Sequence, residues 1–197
     1  MTQSGTTGIP AEMRAARITA PNRTGVETIA TPQPGPGEVL IEVQRAGVCG
    51  TDLHILAGQY ELARFPVTPG HEFSGVVAAV GEGVKRRRVG ESVTADPNVP
   101  CLTCEECLRG AFNQCRDLQT LGVSRDGAFA RYVVAPERVV YPTGDLTPAQ
   151  AALVEPLACV VWGLKRLRVN PGDHVLVYGA GPMGCLLLQA LRASGAA

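Results

Sequence analysis

The sequence predicts a mixed α/β fold in which a small barrel or sandwich of antiparallel strands comes first and a strand-turn-helix unit comes last. Three observations predict it. Short apolar runs punctuated by Gly and Pro recur from about Met13 to Tyr141. At Thr147 the pattern changes to apolar residues at helical spacing. The final stretch joins a brief apolar run to a glycine-rich turn and an Ala/Leu-rich segment.

Each element follows in order. Residues 1–12 are rich in Gly, Ser and Thr without apolar periodicity, so a disordered tail is expected there. Glu38 to Gln44, Phe73 to Val80, Glu91 to Ala95 and Ala128 to Ala135 read as strands. Thr147, Pro148 and Gln150 supply an N-cap, a proline at the first helical position and a capping-box glutamine for a short helix through Val154. A second helix is expected after Pro156, where Leu157, Val160, Val161, Leu164 and Leu167 recur at helical spacing, and it should stop before Asn170-Pro171-Gly172. Val175 to Tyr178 reads as a buried parallel strand, followed by a helix reaching Gly195. The expected domains are therefore 13–154 and 155–197.

The chain has 197 residues, 45% of them hydrophobic, and a formal net charge of zero. That length suffices for one ordinary core and part of a second, and the charge balance gives no reason to expect nucleic acid or an anionic membrane as partner. Lys85, Arg86, Arg87 and Arg88 form one dense basic run without interleaved aromatics, which reads as a solvated loop between strands. No stretch reaches the roughly 20 apolar residues of a membrane helix, and residues 1–10 lack a signal-peptide plan, so a cytoplasmic setting is expected. Seven cysteines, four of them crowded together, then suggest metal binding more than disulfides.

The crowded set is Cys101-x2-Cys104-x2-Cys107-x7-Cys115. Four thiolates so spaced can close tetrahedrally around a structural zinc ion, leaving no open coordination position. An iron–sulfur cluster is the rival, although the segment is short and polar for shielding one. A second, more dispersed set comprises Cys49-Gly50-Thr51-Asp52-x-His54, then Gly70-His71-Glu72-x2-Gly75-x5-Gly81-x2-Val84, then Glu155-Pro156. Cys, His and carboxylate together make the donor mixture of a catalytic zinc. Taken singly, each has an ordinary explanation: a core thiol, a hydrogen-bonded histidine, a helix-end carboxylate.

The Gly70-to-Val84 string resembles the signature of the zinc-containing medium-chain dehydrogenase/reductase family, and Cys49-Gly50-Thr51-Asp52 is similar to its first ligand motif. The resemblance implies a GroES-like β-barrel catalytic domain followed by the first β-α unit of a Rossmann domain. It implies Cys49 and His71 as catalytic zinc ligands, with Glu72 and Glu155 the carboxylates of which one or both bind. Asp52 resembles the acid that orients the histidine ligand, and Thr51 and His54 resemble a proton relay running through the cofactor ribose. It implies Cys101, Cys104, Cys107 and Cys115 as the structural zinc site, zinc and NAD or NADP as cofactors, and hydride transfer from an alcohol. Glu155-Pro156 resembles the polyol and threonine dehydrogenase branches, which implies a secondary hydroxyl on a polyol, sugar or amino alcohol.

Gly179-x-Gly181-x2-Gly184, with Pro182 and Met183 inside it, carries the dinucleotide-binding expectation, because a helix N-terminus after a glycine turn receives a pyrophosphate. The ribose-binding acid expected about 20 residues later would fall beyond Ala197, so NAD and NADP are not distinguished. The 197-residue chain alone is expected to bind metal but turn over little, and homo-oligomers are expected only of a longer form. Glu91 departs from the family's usual Asp. Two rival readings are a stand-alone zinc-binding module without catalysis and a zinc-free quinone-reductase relative; the complete cysteine, histidine and carboxylate set weighs against the latter.

Overall fold

A computed structural model describes residues 8–196, which divide into two compact units, one through Ala152 and one from Leu153. The first unit runs β1 (Glu12–Ala20), β2 (Arg23–Ala30), β3 (Glu38–Gly47), helix α1 (Gly50–Leu56), β4 (Glu72–Val80), β5 (Ser92–Ala95), β6 (Asn98–Val99), helix α2 (Glu105–Leu108), β7 (Gln119–Thr120), β8 (Tyr132–Pro136), β9 (Val140–Pro142) and helix α3 (Pro148–Ala152). Five strands form one antiparallel sheet in the order β8-β3-β4-β5-β9. β1 and β2 form a hairpin, and β6 and β7 pair separately.

The core explains why β3 and β4 lie at the centre. Val39 and Ile41 of β3 pack with Phe73, Val77, Val93 and Val133 on one face, while Leu40 between them packs with Met13, Ala79 and Tyr132 on the other. A strand buried on both faces contributes about 1.5–3 kcal/mol per large apolar side chain. The hairpin covers the second face and is joined to it by Ala16 N–H donating to the Phe129 carbonyl at 2.8 Å and by reciprocal bonds between Ile18 and Val67 at 2.9 and 3.0 Å. A third cluster, Ile18, Ile55, Val67 and Val123, seats helix α1.

Several elements differ from the sequence expectations. β1 begins at Glu12, inside the stretch expected to be a tail; residues 1–7 of that stretch lie outside the described residues. β1 and β2 carry no strong strand signal because the inward positions include small Ala15 and because β2 is exposed almost throughout. The expected strand from Ala128 is shortened to Tyr132–Pro136. Gly127, Ala128 and Phe129 spend their N–H groups on the Thr68, Gly70 and Pro69 carbonyls rather than on a ladder. Glu91 lies just before β5, pairing with Arg87 at 3.0 Å and accepting the Arg88 N–H.

Thr147 and Gln150 form the expected reciprocal cap, with Gln150 N–H donating to Thr147 Oγ1 and Thr147 N–H to Gln150 Oε1. In the second unit α4 (Val154–Leu167) starts two residues before Pro156. A proline in the first turn removes an N–H that has no intrahelical partner anyway. α4 packs on α5 (Pro182–Ala193). The expected parallel strand over Val175 to Tyr178 is not formed: residues 173–180 join no ladder, and Leu176 and Tyr178 are exposed. A strand exists only through its neighbours, and among the described residues none lies alongside this one.

Candidate metal centres

The first candidate centre grows from one end of the β3–β4 ladder. Gly47, the last residue of β3, pairs with Glu72, the first of β4. Two residues beyond Gly47, Cys49 leaves the strand and becomes the N-cap of α1; His71 immediately precedes Glu72. The register therefore places a thiol, an imidazole and a carboxylate together, and their donor atoms all lie within 4.8 Å of one another.

Asp52 ties the two sides of this centre. Its Oδ2 accepts the Cys49 N–H at 2.9 Å, closing the first turn of α1, and its Oδ1 accepts the Gly70 N–H at 3.1 Å. The same Oδ1 lies 3.6 Å from His71 Nδ1, beyond hydrogen-bond length, and Nδ1 is buried with no other hydrogen-bond partner. Burial is the largest influence on His71 and disfavours its charged form. The nearby Asp52 carboxylate first, and the Cys49 sulfur after it, favour the charged form, outweigh burial and raise the pKa to about 9. A thiol and two carboxylates around the imidazole suit a cation, and a carboxylate standing beside one ring nitrogen, as Asp52 does, is the kind of group that orients a metal-ligating histidine.

Thr51 and His54 both lie on α1. The Thr51 hydroxyl is 3.7 Å from Cys49 Sγ, at the centre itself. His54 is exposed, and its Nδ1 lies 3.0 Å from Gln59 Oε1. Gln59 and Gly47 were not singled out from the sequence: an isolated polar residue and an isolated glycine carry no motif. Glu155 belongs to the second unit, in the first turn of α4, with the Cys159 thiol one turn along at 4.0 Å.

The second candidate centre is closed by the short β6–β7 ladder, which brings the ends of the 101–115 segment together. The four sulfurs of Cys101, Cys104, Cys107 and Cys115 lie within 4.8 Å of one another, and Cys101 and Cys107 Sγ are 4.0 Å apart. A tetrahedron with zinc–sulfur bonds of about 2.3 Å has edges of about 3.8 Å, so the spacing suits a single ion, whereas a cluster of several metals needs its thiolates farther apart. Backbone N–H groups point at the sulfurs: Cys101 to Cys115 at 3.2 Å, Thr103 and Cys104 to Cys101 at 3.5 and 3.4 Å. Hydrogen bonds from Thr103 chiefly hold the Cys101 thiol down to about 6, and burial pushes Cys107 up to about 12. Arg116 braces the segment through Glu106 and Glu105.

The glycine motif opens α5, with Gly181 as N-cap and Pro182 at the helix start. Gly179 has φ +115°, and its carbonyl occupies the space that a side chain on Gly184 would need. Met183 is exposed. Among the described residues no helix is long and apolar enough to cross a membrane.

Residues 35–145 match the family described as the alcohol dehydrogenase GroES-like domain. The chain is 39% identical over 188 residues to D-arabinitol dehydrogenase 1 of Uromyces fabae, covering 95% of this chain and 54% of that protein. Its fold is similar to a candidate zinc-binding dehydrogenase from Sinorhizobium meliloti 1021 bound to NADP (TM-score 0.91, 37% identity, 95% of this chain and 55% of that one). It is also similar to the cobalt- and zinc-bound thermostable alcohol dehydrogenase from Pyrobaculum aerophilum (TM-score 0.85, 34% identity, 94% and 58%). The chain spans about half the length of the curated relatives it matches.

Proposed function

The chain belongs to the alcohol dehydrogenase GroES-like domain family, and from that premise we propose that it is the substrate-side part of a zinc-dependent oxidoreductase that moves hydride from a secondary alcohol or polyol to NAD or NADP. The observation that carries this reading is the convergence of Cys49, His71 and Glu72 within 4.8 Å, with Asp52 behind the imidazole. Cys49, His71 and Glu72 would hold the catalytic zinc; Cys101, Cys104, Cys107 and Cys115 would hold a structural one. When bound, the catalytic zinc supplies Lewis acidity to a substrate hydroxyl and NAD(P) supplies the hydride acceptor.

The chain's own residues do the rest. Asp52 holds the histidine in place by accepting the N–H groups of Cys49 and Gly70. Thr51, with its hydroxyl beside the Cys49 sulfur, accepts the substrate proton, and His54, anchored by Gln59, receives it further along the relay. With NAD or NADP bound to take up the carbon-bound hydrogen as hydride, loss of the hydroxyl proton to this relay would complete oxidation of the secondary alcohol to a ketone. Gly179, Gly181, Pro182, Met183 and Gly184 would seat the dinucleotide pyrophosphate at the start of α5. A polyol substrate is supported by the likeness to the relative named D-arabinitol dehydrogenase 1. A reducing, cytoplasmic setting is supported by four cysteines gathered as a metal site rather than joined as disulfides, and self-association is proposed only for a longer form.

Cobalt substitution tests this reading on the chain itself. Adjacent hydroxyls that reach the mixed centre should change the visible spectrum of its cobalt, with arabinitol or sorbitol stronger than ethanol. A cobalt spectrum indifferent to every alcohol would contradict it.

A further inference from the structure

We propose that Gly47 is a positioning residue for the mixed centre: its missing side chain leaves the space over the end of β3 into which the Glu72 carboxylate leans to meet Cys49 and His71. This rests on Glu72 belonging to the zinc centre proposed above.

Gly47 and Glu72 are partners in the last rung of the β3–β4 ladder, and side chains of directly paired residues stand on the same face of a sheet. A Cβ on Gly47 would overlap Glu72 Oε2 and would approach Glu72 Cβ and Cδ at 3.3 and 3.5 Å. The backbone does not ask for glycine here, since Gly47 is not among the residues with positive φ. What the position requires is emptiness, and what fills that emptiness is one of the three donors. The atom in the way is the end of a flexible carboxylate. An added methyl group is therefore accommodated chiefly by swinging the Glu72 carboxylate aside, while the approach to Glu72 Cβ asks the rung to give by only a few tenths of an ångström. Because Cys49 follows Gly47 by two residues and His71 precedes Glu72, the donors share this rung as their base, and only the carboxylate is displaced.

The test is a double-mutant cycle on Gly47→Ala and Glu72→Ala in the 197-residue chain. Zinc affinity of the mixed centre is read by chelator competition, its geometry by the visible spectrum of bound Co2+, and folding by thermal melting. Gly47→Ala alone should weaken zinc about 10–100-fold and shift the Co2+ spectrum, with melting of the metal-free chain unchanged. In the Glu72→Ala background the same change should have no further effect. Unaltered affinity and spectrum in Gly47→Ala, or an equal loss with and without Glu72, would overturn the proposal. If the unmutated chain takes up metal only at the four cysteines, the mixed centre itself falls and the proposal with it, a result distinguishable because it needs no variant.

Discussion

The Asp52 carboxylate accepts the Cys49 backbone N–H at 2.9 Å, so the acid facing His71 and the thiol at the start of α1 belong to one turn of helix. Its other oxygen reaches the Gly70 N–H across 18 positions of sequence. One side chain thereby fixes the separation between two of the three donors. Asp52→Ala should lower zinc affinity of the mixed centre about 10–100-fold. It should also destabilise the fold by about 0.5–2 kcal/mol through loss of the helix-start contact. Chelator competition and denaturant unfolding measure the two effects, and unchanged zinc affinity would remove Asp52 from the centre.

The two cysteine sets should respond differently to loss of a thiol. Cys104→Ser opens a segment whose order comes from four sulfurs and a short two-rung ladder, and it should make residues 101–115 readily cleaved by protease. Cys49→Ser removes a donor from a centre whose scaffold is β3, β4 and the Ile55 cluster, and should leave melting within about 1 kcal/mol of the parent. Equal sensitivity of both variants to protease would contradict this division.

Much of this was legible in the sequence. Spacing alone grouped the four cysteines, and the apolar run Phe73 to Val80 marked β4. Less legible were the elements whose stability is entirely tertiary. The exposed strand β2 has no alternation, helix α1 is seven residues long, and the Gly47–Glu72 rung depends on a register that joins positions 25 residues apart. Val175 to Tyr178 shows the converse: a clear strand pattern without a strand, since ladder partners decide what an apolar run becomes.

The basic run Lys85 to Arg88 is held by an acid. The N–H groups of Lys85, Arg86 and Arg87 converge on Glu137 Oε1. Burial works to raise the Glu137 pKa, but these amides and the Arg86 charge outweigh it and hold the pKa below the usual carboxylate value. A depressed folded pKa means the stabilisation is full above the unfolded carboxylate range and is lost as pH falls through the folded value. Hydrogen exchange of those three amides should therefore be slow at neutral pH, gain in relative speed only once the pH falls below the usual carboxylate range, and lose this acid dependence in Glu137→Gln. An identical pH profile in the variant would show that the carboxylate does not hold the loop.

Residues 173–180 should be the first site of proteolysis in the second unit. Leu176 and Tyr178 are exposed and no ladder protects their backbone. Chymotrypsin at low ratio should cut after one of them before cutting within β3 or β4, and mass spectrometry of the first fragments checks the order.

On the proposed reading, β3 and β4 assemble a second metal centre in addition to the four-cysteine one. Elemental analysis of protein made in zinc-replete medium, set beside Cys49→Ser, tests it most directly. The parent should hold about two zinc ions per chain and the variant about one. A parent holding one ion or none, with Cys49→Ser unchanged from it, would contradict it.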